Sequence, residues 1–175
     1  MAISPTRIVA LCGEPRIFNI AGCAENPYLM GMDLYHPRVL ELAAEISHIG
    51  RLPAPMGSST KVSRICGSVV SVDLDLDGEA VRTLGMEVEA CALGQAAAAI
   101  LAKHAIGAST DEIFAARDAL RAMLKEGAAP PEGRFWELRH LEGVRHYPPR
   151  HTSTMLAFEA ACAAIEQARA GAVAV

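Results

Sequence analysis

An alternating pattern of apolar and polar residues marks the stretch 64–78, RICGSVVSVDLDLDG. Valines and leucines fall on one face of the predicted strand, and serine and aspartates on the other: Val70, Val72, Leu74 and Leu76 against Ser71, Asp73, Asp75 and Asp77. A period of two residues indicates a half-buried strand. The Asp77-Gly78 pair predicts a hairpin turn into a returning strand, EAVRTLGMEVEA. With a short strand at residues 61–64, these form a small antiparallel sheet.

A helical pattern precedes this sheet. In DLYHPRVLELAAEISHIG, residues 33–50, Asp33 is the predicted N-cap and the helix is expected to end near Gly50. Its apolar positions have the spacing of one helix face, and they are Val39, Leu42, Ala43 and Ile46.

Three helical segments follow the sheet. CALGQAAAAILAKHAIG is rich in alanine, with Cys91 at its start and Gly107 past its end. In STDEIFAARDALRAMLKEG, Ser109 and Glu112 have the spacing of a capping box. RFWELRHLEGV is predicted as a short helix or turn. The last helix runs through STMLAFEAACAAIEQA with Ser153 as N-cap, and its apolar stripe comprises Met155, Phe158, Cys162 and Ile165.

The order of these elements predicts an α+β fold, a small three-stranded antiparallel sheet with helices packed on it. We expect one domain over residues 32–167 and a flexible tail over 168–175. Residues 1–31 have no sustained period and carry three prolines and three glycines. They are predicted to be an extension, either an arm that holds Cys12 and Cys23 or a segment that is not translated if synthesis begins at Met32.

Composition narrows the function classes. The chain has 175 residues, 51% of them apolar, and a formal charge of -4 with scattered basic residues. Such a surface argues against nucleic acid or membrane as a partner. Neither a signal peptide nor a long apolar segment is apparent, so a cytoplasmic location is expected. Five cysteines, an odd number without a dense framework, favour free or metal-binding thiols in a reducing compartment.

Two cysteines stand out by position. Cys66 lies where a loop enters a strand, and Cys91 lies where the returning strand passes into a helix, so the hairpin brings both to one edge of the sheet. Amides at a helix N-terminus favour the thiolate form, which gives Cys91 a reason to be reactive. The alternative is that both are buried fillers, which is the role expected of Cys162.

His151 lies close to Ser153 and is either a metal ligand or an exposed histidine. The remaining histidines follow no ligand spacing, and they are His36, His48, His104, His140 and His146. Neither a nucleophile elbow nor a phosphate-binding glycine loop is present. Hydrolase and nucleotide-binding functions are therefore disfavoured.

Four motifs resemble, in order and spacing, the NifU N-terminal, or IscU-like, family of iron-sulfur cluster assembly scaffolds. They are LYHPRVLELAAEISHIGRL, CGS before a strand, EACALGQAAAAI and PPRHTSTMLAFEA, and the resemblance covers about residues 32–167. The family gathers three cysteines and an aspartate at one edge of a three-stranded sheet to hold a nascent cluster or metal ion. Cys66 and Cys91 match two of those cysteines, whereas Ser68 replaces the aspartate and Ser153 the third cysteine.

The resemblance implies a scaffold and not an enzyme. In this hypothesis Cys66 and Cys91 bind iron or a transient [2Fe-2S] cluster, with zinc as an alternative metal, and His151 and Ser153 complete the metal site. A cysteine desulfurase as sulfur source and recipient or carrier proteins for the cluster are the implied partners. Two alternatives stay open: a persulfide acceptor for the desulfurase, and an interaction protein that keeps the fold without metal.

Overall fold

The computed structural model describes residues 34–173, which form a three-stranded antiparallel sheet and four α-helices. In chain order the elements are α1 (Pro37–Ala44), β1 (Gly57–Val62), β2 (Val69–Asp77), β3 (Ala80–Glu89), α2 (Ala92–Ala105), α3 (Thr110–Glu126), a 3₁₀ segment (Gly133–His146) and α4 (Pro148–Val173). The α+β prediction is confirmed. Along the part of the chain that the structure describes, no helix is long and apolar enough to cross a membrane.

The sheet has the strand order β1-β2-β3, and both neighbouring pairs are antiparallel. The hairpin between β2 and β3 turns at Gly78 and Glu79, one residue later than predicted, because Asp77 pairs with Ala80. Gly78 has φ 58°, a left-handed conformation that glycine adopts without strain. β1 begins four residues before the predicted strand and ends at Val62.

The apolar face of β2 is buried as predicted: Val70, Val72, Leu74 and Leu76 are at most 8% exposed. α4 packs across β1 and β2 on this side. Gly57 allows close approach, since a Cβ at this position would overlap the carbonyl oxygen of Ala164 in α4. Burial of apolar area between sheet and helix is the main stabilising contribution here.

Part of the polar face of β2 is covered too, at Ser71 and Asp73, which the half-buried prediction did not anticipate. Asp73 is 0% exposed and accepts two hydrogen bonds from Arg51, from Nε at 2.6 Å and from Nη2 at 2.8 Å. The Leu52 N–H donates a third at 3.1 Å. The hydrogen bonds from Arg51 hold the pKa of Asp73 below its usual range, so this buried carboxylate is charged and paired.

α1 is shorter than predicted. It begins at Pro37, with His36 as N-cap accepting a hydrogen bond from the Arg38 N–H, and it ends at Ala44 instead of near Gly50. Residues 48–50 leave the helix because they pair with β3: Met86 N–H donates to His48 O, and Gly50 N–H donates to Met86 O. The predicted N-cap Asp33 lies outside the described residues, as does the extension 1–31.

α2 and α3 have the predicted boundaries. Cys91 is the N-cap of α2, and Gly107 follows its end with φ 75°. At the start of α3 the Ser109 side chain accepts from the Glu112 N–H while the Glu112 carboxylate accepts from the Ser109 N–H, a complete capping box. Gly127 ends α3 in a left-handed conformation.

α4 starts earlier and ends later than predicted. It begins at Pro148, where proline is well tolerated because first-turn N–H groups have no partner within the helix. Its stripe is fully buried, with Met155, Phe158, Cys162 and Ile165 at most 2% exposed. The helix continues to Val173, so residues 168–173 are helical where a flexible tail was predicted.

A buried carboxylate joins the 3₁₀ segment to two helices. Glu137 is 1% exposed, and its oxygens lie 2.9 Å from Arg38 Nη2 of α1, 2.9 Å from Lys103 Nζ and 2.7 Å from His104 Nε2 of α2. Three partners from two helices therefore meet one anion just ahead of α4.

Candidate metal and cluster site

Cys66 is held by the tight loop between β1 and β2. The Ser63 N–H donates to Ser68 O at 2.8 Å, and the Gly67 N–H donates to Ser63 O at 2.8 Å. Gly67 has φ 71°, which explains why glycine follows the cysteine in the CGS motif. The loop fixes Cys66 at the end of the sheet, one residue before this bend.

Cys91 lies where β3 passes into α2. Its N–H donates to Ser68 Oγ at 3.4 Å, and its thiol donates to Ser153 Oγ of α4 at 3.6 Å. Gly94, one turn into α2, makes this meeting possible, since a Cβ there would lie 3.0 Å from Ser153 O. The contact between the two helices therefore sets the distance between Cys91 and Ser153.

The two thiols and three serines form one group, the thiol-serine cluster of Ser63, Cys66, Ser68, Cys91 and Ser153. Cys66 Sγ lies 3.2 Å from Ser63 Oγ and 3.1 Å from Ser68 Oγ. Both thiols are half-buried, whereas the serines are at most 4% exposed. The structure thus brings Cys66 and Cys91 together at a partly accessible edge, with hydroxyls beneath them.

The hydroxyls change the acidity of Cys66. Burial alone would raise the pKa of this thiol, but hydrogen bonds with Ser63 and Ser68 stabilise the thiolate and lower the pKa to about 7. Near neutral pH a large fraction of Cys66 is therefore thiolate, the form that binds metal and attacks sulfur.

This acidity predicts a shifted alkylation profile. In the metal-free protein, the rate of reaction of Cys66 with iodoacetamide should be half-maximal near pH 7 instead of near 9.0, the ordinary thiol value. Combined Ser63→Ala and Ser68→Ala substitutions should move the midpoint upward, as measured by mass spectrometry of the Cys66 peptide. The exposed Ser47→Ala substitution is the control, and a midpoint that the double variant shares with this control would contradict the role of the hydroxyls.

Cys162 has the packing role that the sequence predicts. It is 2% exposed in the core, and burial raises the pKa of its thiol to about 11. A neutral, buried thiol is unsuited to bind metal without unfolding the surrounding helices.

His151 does not join the thiol-serine cluster. Its Nε2 lies 3.1 Å from Val144 O and 3.2 Å from Arg145 O, and because a carbonyl oxygen only accepts, this nitrogen carries the proton and donates. Metal coordination through Nε2 would break these bonds at the end of the 3₁₀ segment. Coordination through Nε2 is therefore disfavoured, and the expectation that His151 completes the ligand set stays a prediction.

Ser153 belongs to the cluster but is not the predicted N-cap, because α4 begins five residues earlier. Its hydroxyl donates to Arg150 O at 3.0 Å, and the Thr154 hydroxyl donates to the same oxygen at 2.9 Å. With its proton committed to Arg150, the Ser153 oxygen accepts from the Cys91 thiol.

Sequence reasoning missed Ser63 and Gly94. Ser63 could have been found from its position, three residues before Cys66 in a loop that contains a glycine. Gly94 could have been found because a glycine inside an alanine-rich helix usually has a packing reason.

The donor set fits a cluster only in part. Thiolates are the main ligands of iron-sulfur clusters, and a serine hydroxyl is a poor ligand at neutral pH. Over residues 34–173, no three Cys, His, Asp or Glu side chains converge in a way that could hold a metal ion. Among the described residues, this site thus brings together two thiols.

The chain resembles a solved structure of the same architecture. The nitrogen-fixing NifU-like protein (N-terminal) from Brucella abortus is 44% identical, with a TM-score of 0.79, and the match covers 81% of this chain and 98% of that one. The chain belongs to the NifU N-terminal, or IscU-like, family. This confirms the family resemblance that the sequence motifs indicate.

Two more distant proteins are also similar to the chain. The iron-sulfur cluster assembly scaffold protein IscU of Streptococcus pyogenes serotype M1 is 26% identical over 102 residues, 58% of this chain and 64% of the relative's length. A SUF-system scaffold from Fervidobacterium islandicum AW-1, with 17% identity and a TM-score of 0.70, covers 80% of this chain and 99% of that one, and shares the fold. The chain matches no family sequence model.

Proposed function

We propose that the protein is an iron-sulfur cluster assembly scaffold that holds iron or a transient [2Fe-2S] cluster as cargo on Cys66 and Cys91. The observation that carries the proposal is the meeting of these two half-buried thiols over Ser68 and Ser153, the positions that match the family's site. Membership in the NifU-like family and the scaffold name of the IscU relative support it.

Each residue of the cluster has a distinct role in this proposal. Cys66 supplies a thiolate near neutral pH, and Cys91 supplies the second thiolate from the start of α2. The hydroxyls of the cluster form hydrogen bonds with the thiols and are poor ligands for the cargo; they belong to Ser63, Ser68 and Ser153. The protein acts without turnover, in the reducing cytoplasm, with a cysteine desulfurase as sulfur source and recipient or carrier proteins downstream.

Cargo content tests this proposal. We expect full-length protein, reconstituted without oxygen, to hold iron and acid-labile sulfide in equal amounts and to absorb in the visible range. Cys66→Ala and Cys91→Ala should each lose both, while Cys162→Ala, the buried matched control, should keep them. Equal retention in all three variants would refute the assignment, and zinc without sulfide would instead identify a resting metal site.

A persulfide acceptor is the second candidate, favoured by the low pKa of Cys66. A thiolate attacks the terminal sulfur of a desulfurase persulfide, taking that sulfur while the desulfurase cysteine leaves as a thiolate. This function predicts that Cys66 gains the mass of one sulfur atom after incubation with desulfurase and cysteine. It also predicts no bound iron, which separates it from the scaffold.

A further inference from the structure

We propose that the outer edge of β1 binds an extended peptide segment of a protein partner, which adds a further strand to the sheet and places an acidic side chain beside Lys61. This edge site consists of the outward backbone of Thr60 and Val62 and of the cavity that Lys61 lines. It needs neither the cargo nor the two thiols, so it goes beyond the proposed function.

The backbone at the outer edge of β1 is available for pairing. β1 lies at the end of the strand order β1-β2-β3, so its outer side faces no other strand within residues 34–173. In an antiparallel pair, successive residues turn their N–H and C=O groups alternately towards and away from the neighbouring strand. The N–H of Ser63, the residue after β1, donates to Ser68 O, which places the odd-numbered residues towards β2. Thr60 and Val62 therefore turn their backbone groups outward, where an added strand can pair with them.

A side chain of α4 bounds this edge at one end. The Ser58 N–H donates to Oε1 of Gln167 at 2.9 Å, in agreement with the outward direction of the even-numbered residues. The same contact shows that α4 reaches the outer edge of β1. Thr60 and Val62, the two outward residues beyond Ser58, are both exposed. An incoming segment therefore meets a short edge of two residues with α4 beneath it.

Lys61 turns to the face of the sheet that packs against the helices. It pairs with Val70, which is 0% exposed on the apolar face of β2, and paired residues of neighbouring strands share a face. Its side chain is half-buried and lines a cavity together with residues of α3 and α4. Within residues 34–173, Lys61 forms no ion pair or side-chain hydrogen bond. A half-buried cation without a counterion favours a carboxylate beside it.

The cavity beside Lys61 has an excess of positive charge. Its volume is about 220 Å³, and its charged lining comprises Lys61, Arg117, Arg121, Glu159 and Glu166. Arg121 Nη2 lies 3.4 Å from Glu159 Oε1, and Arg117 Nη2 lies 2.9 Å from Asp118 Oδ1, so both guanidinium groups have counterions. Three positive and two negative side chains line the cavity, and one further carboxylate would balance them.

The same charge disfavours a second copy of the chain at this edge. A twofold contact between two β1 strands would bring two Lys61 ammonium groups to the same face of the joined sheet, and inward charges on edge strands disfavour such pairing. A partner segment with alternating residues avoids this repulsion. Its acidic side chain would point towards the helices and meet Lys61, while its neighbours would lie on the opposite face, beside Val62.

Two capped pentapeptides of matched sequence test the edge site. The acidic peptide has the order threonine, valine, glutamate, valine, threonine, and the basic peptide has lysine in place of glutamate. Each would be added to the full-length, metal-free protein, with backbone amides followed by nuclear magnetic resonance. We expect the amide signals of Thr60 and Val62 to shift and to gain protection from hydrogen exchange, and the acidic peptide to bind about fivefold more tightly.

Three results would overturn the proposal. The first is equal affinity for the two peptides, and the second is a set of shifted amides that excludes Thr60 and Val62. The third is protection of these two amides before any peptide is added, because the edge would then be occupied by residues 1–33 of the same chain or by a second copy. Analytical ultracentrifugation distinguishes these two occupants, since only a second copy doubles the mass.

A charge reversal tests the role of Lys61. Lys61→Glu should reverse the preference, so that the basic peptide binds more tightly than the acidic one. Lys125→Glu is the matched control, because Lys125 is an exposed lysine in the last turn of α3 and does not line the cavity. It should keep the wild-type preference. A Lys61→Glu protein that behaves like this control would overturn the assignment of the acidic side chain.

A proline tests the backbone pairing. Thr60→Pro removes an outward N–H, and an edge strand tolerates proline at such a position, so binding of the acidic peptide should weaken about tenfold while the fold persists. Thr60→Val keeps the N–H and should bind like the wild type. Equal binding by the two variants would overturn strand addition. Circular dichroism checks the fold of each variant, and the Lys61→Glu reversal decides the proposal if Thr60→Pro does not fold.

Discussion

Replacing Glu137 with alanine should lower the free energy of unfolding by about 3 kcal/mol, since it removes a buried anion that three partners share. Glu137 is 1% exposed and contacts Arg38 of α1 and both Lys103 and His104 of α2. Without the carboxylate, these partners lose a joint acceptor and the 3₁₀ segment loses its ion pairs with both helices. Urea denaturation followed by circular dichroism measures the change.

Glu132→Ala is the matched control, since Glu132 is an exposed glutamate next to the same segment. Its effect should stay within about 0.5 kcal/mol, as is usual for surface positions. A loss equal to that of Glu137→Ala would show that the buried ion cluster has no special importance.

The contribution of Glu137 to the free energy of unfolding should depend on pH. Burial alone would raise the pKa of Glu137, but hydrogen bonds from Lys103, His104 and Arg38 lower it from 4.5 to about 2. Because the folded-state pKa is depressed, the stabilisation is complete above about pH 4.5 and is lost as the pH falls towards 2. The stability difference between wild type and Glu137→Gln should shrink over this range, and a constant difference would contradict the charged role.

Much of the fold could be predicted because local patterns decide it. The alternation in β2 and β3 and the Ser109-Glu112 capping box act over a few residues, and the structure contains all of them. The early end of α1 could not be predicted, because residues 48–50 pair with Met86, far along the chain. The burial of Asp73 could not be predicted either, because it depends on Arg51, which lies between α1 and β1 and reaches Asp73 with its guanidinium group.

Ser153→Cys should produce the largest gain in cargo retention. Ser153 Oγ lies 3.6 Å from Cys91 Sγ, so a sulfur here would lie beside the two thiols, at the position where the family has its third cysteine. The substitution costs little, because Thr154 still donates to Arg150 O. Cluster lifetime under challenge with a chelator should lengthen by about tenfold or more, as followed by visible absorption.

Thr154→Cys is the matched control for this gain. Thr154 is also 0% exposed and donates to the same carbonyl, but the hydrogen bonds of Cys66 and Cys91 go to Ser63, Ser68 and Ser153 and not to Thr154. A new thiol at this position should leave the lifetime unchanged. Equal lengthening by both substitutions would mean that an added thiol acts without regard to its position.

The sequence predicts the meeting of the two thiols, but it does not predict the surroundings of His151 and Ser153. The hairpin alone places Cys66 and Cys91 at one edge, since strand pairing fixes which residues lie opposite each other. The orientation of His151 depends on the carbonyls at the end of the 3₁₀ segment, a feature without a sequence pattern. α4 starts before Ser153, at Pro148 and Pro149, and a pair of prolines is as typical of a loop as of the first turn of a helix.

Thiol footprinting of the loaded protein tests the central claim most directly. Reconstituted full-length protein would be alkylated without oxygen, before and after removal of the cargo with a chelator, and each cysteine quantified by mass spectrometry. We predict that Cys66 and Cys91 are protected in proportion to the bound iron and become reactive once it is removed. Alkylation of both at the metal-free rate while the cluster remains bound, or protection of Cys12 and Cys23 in their place, would contradict the account.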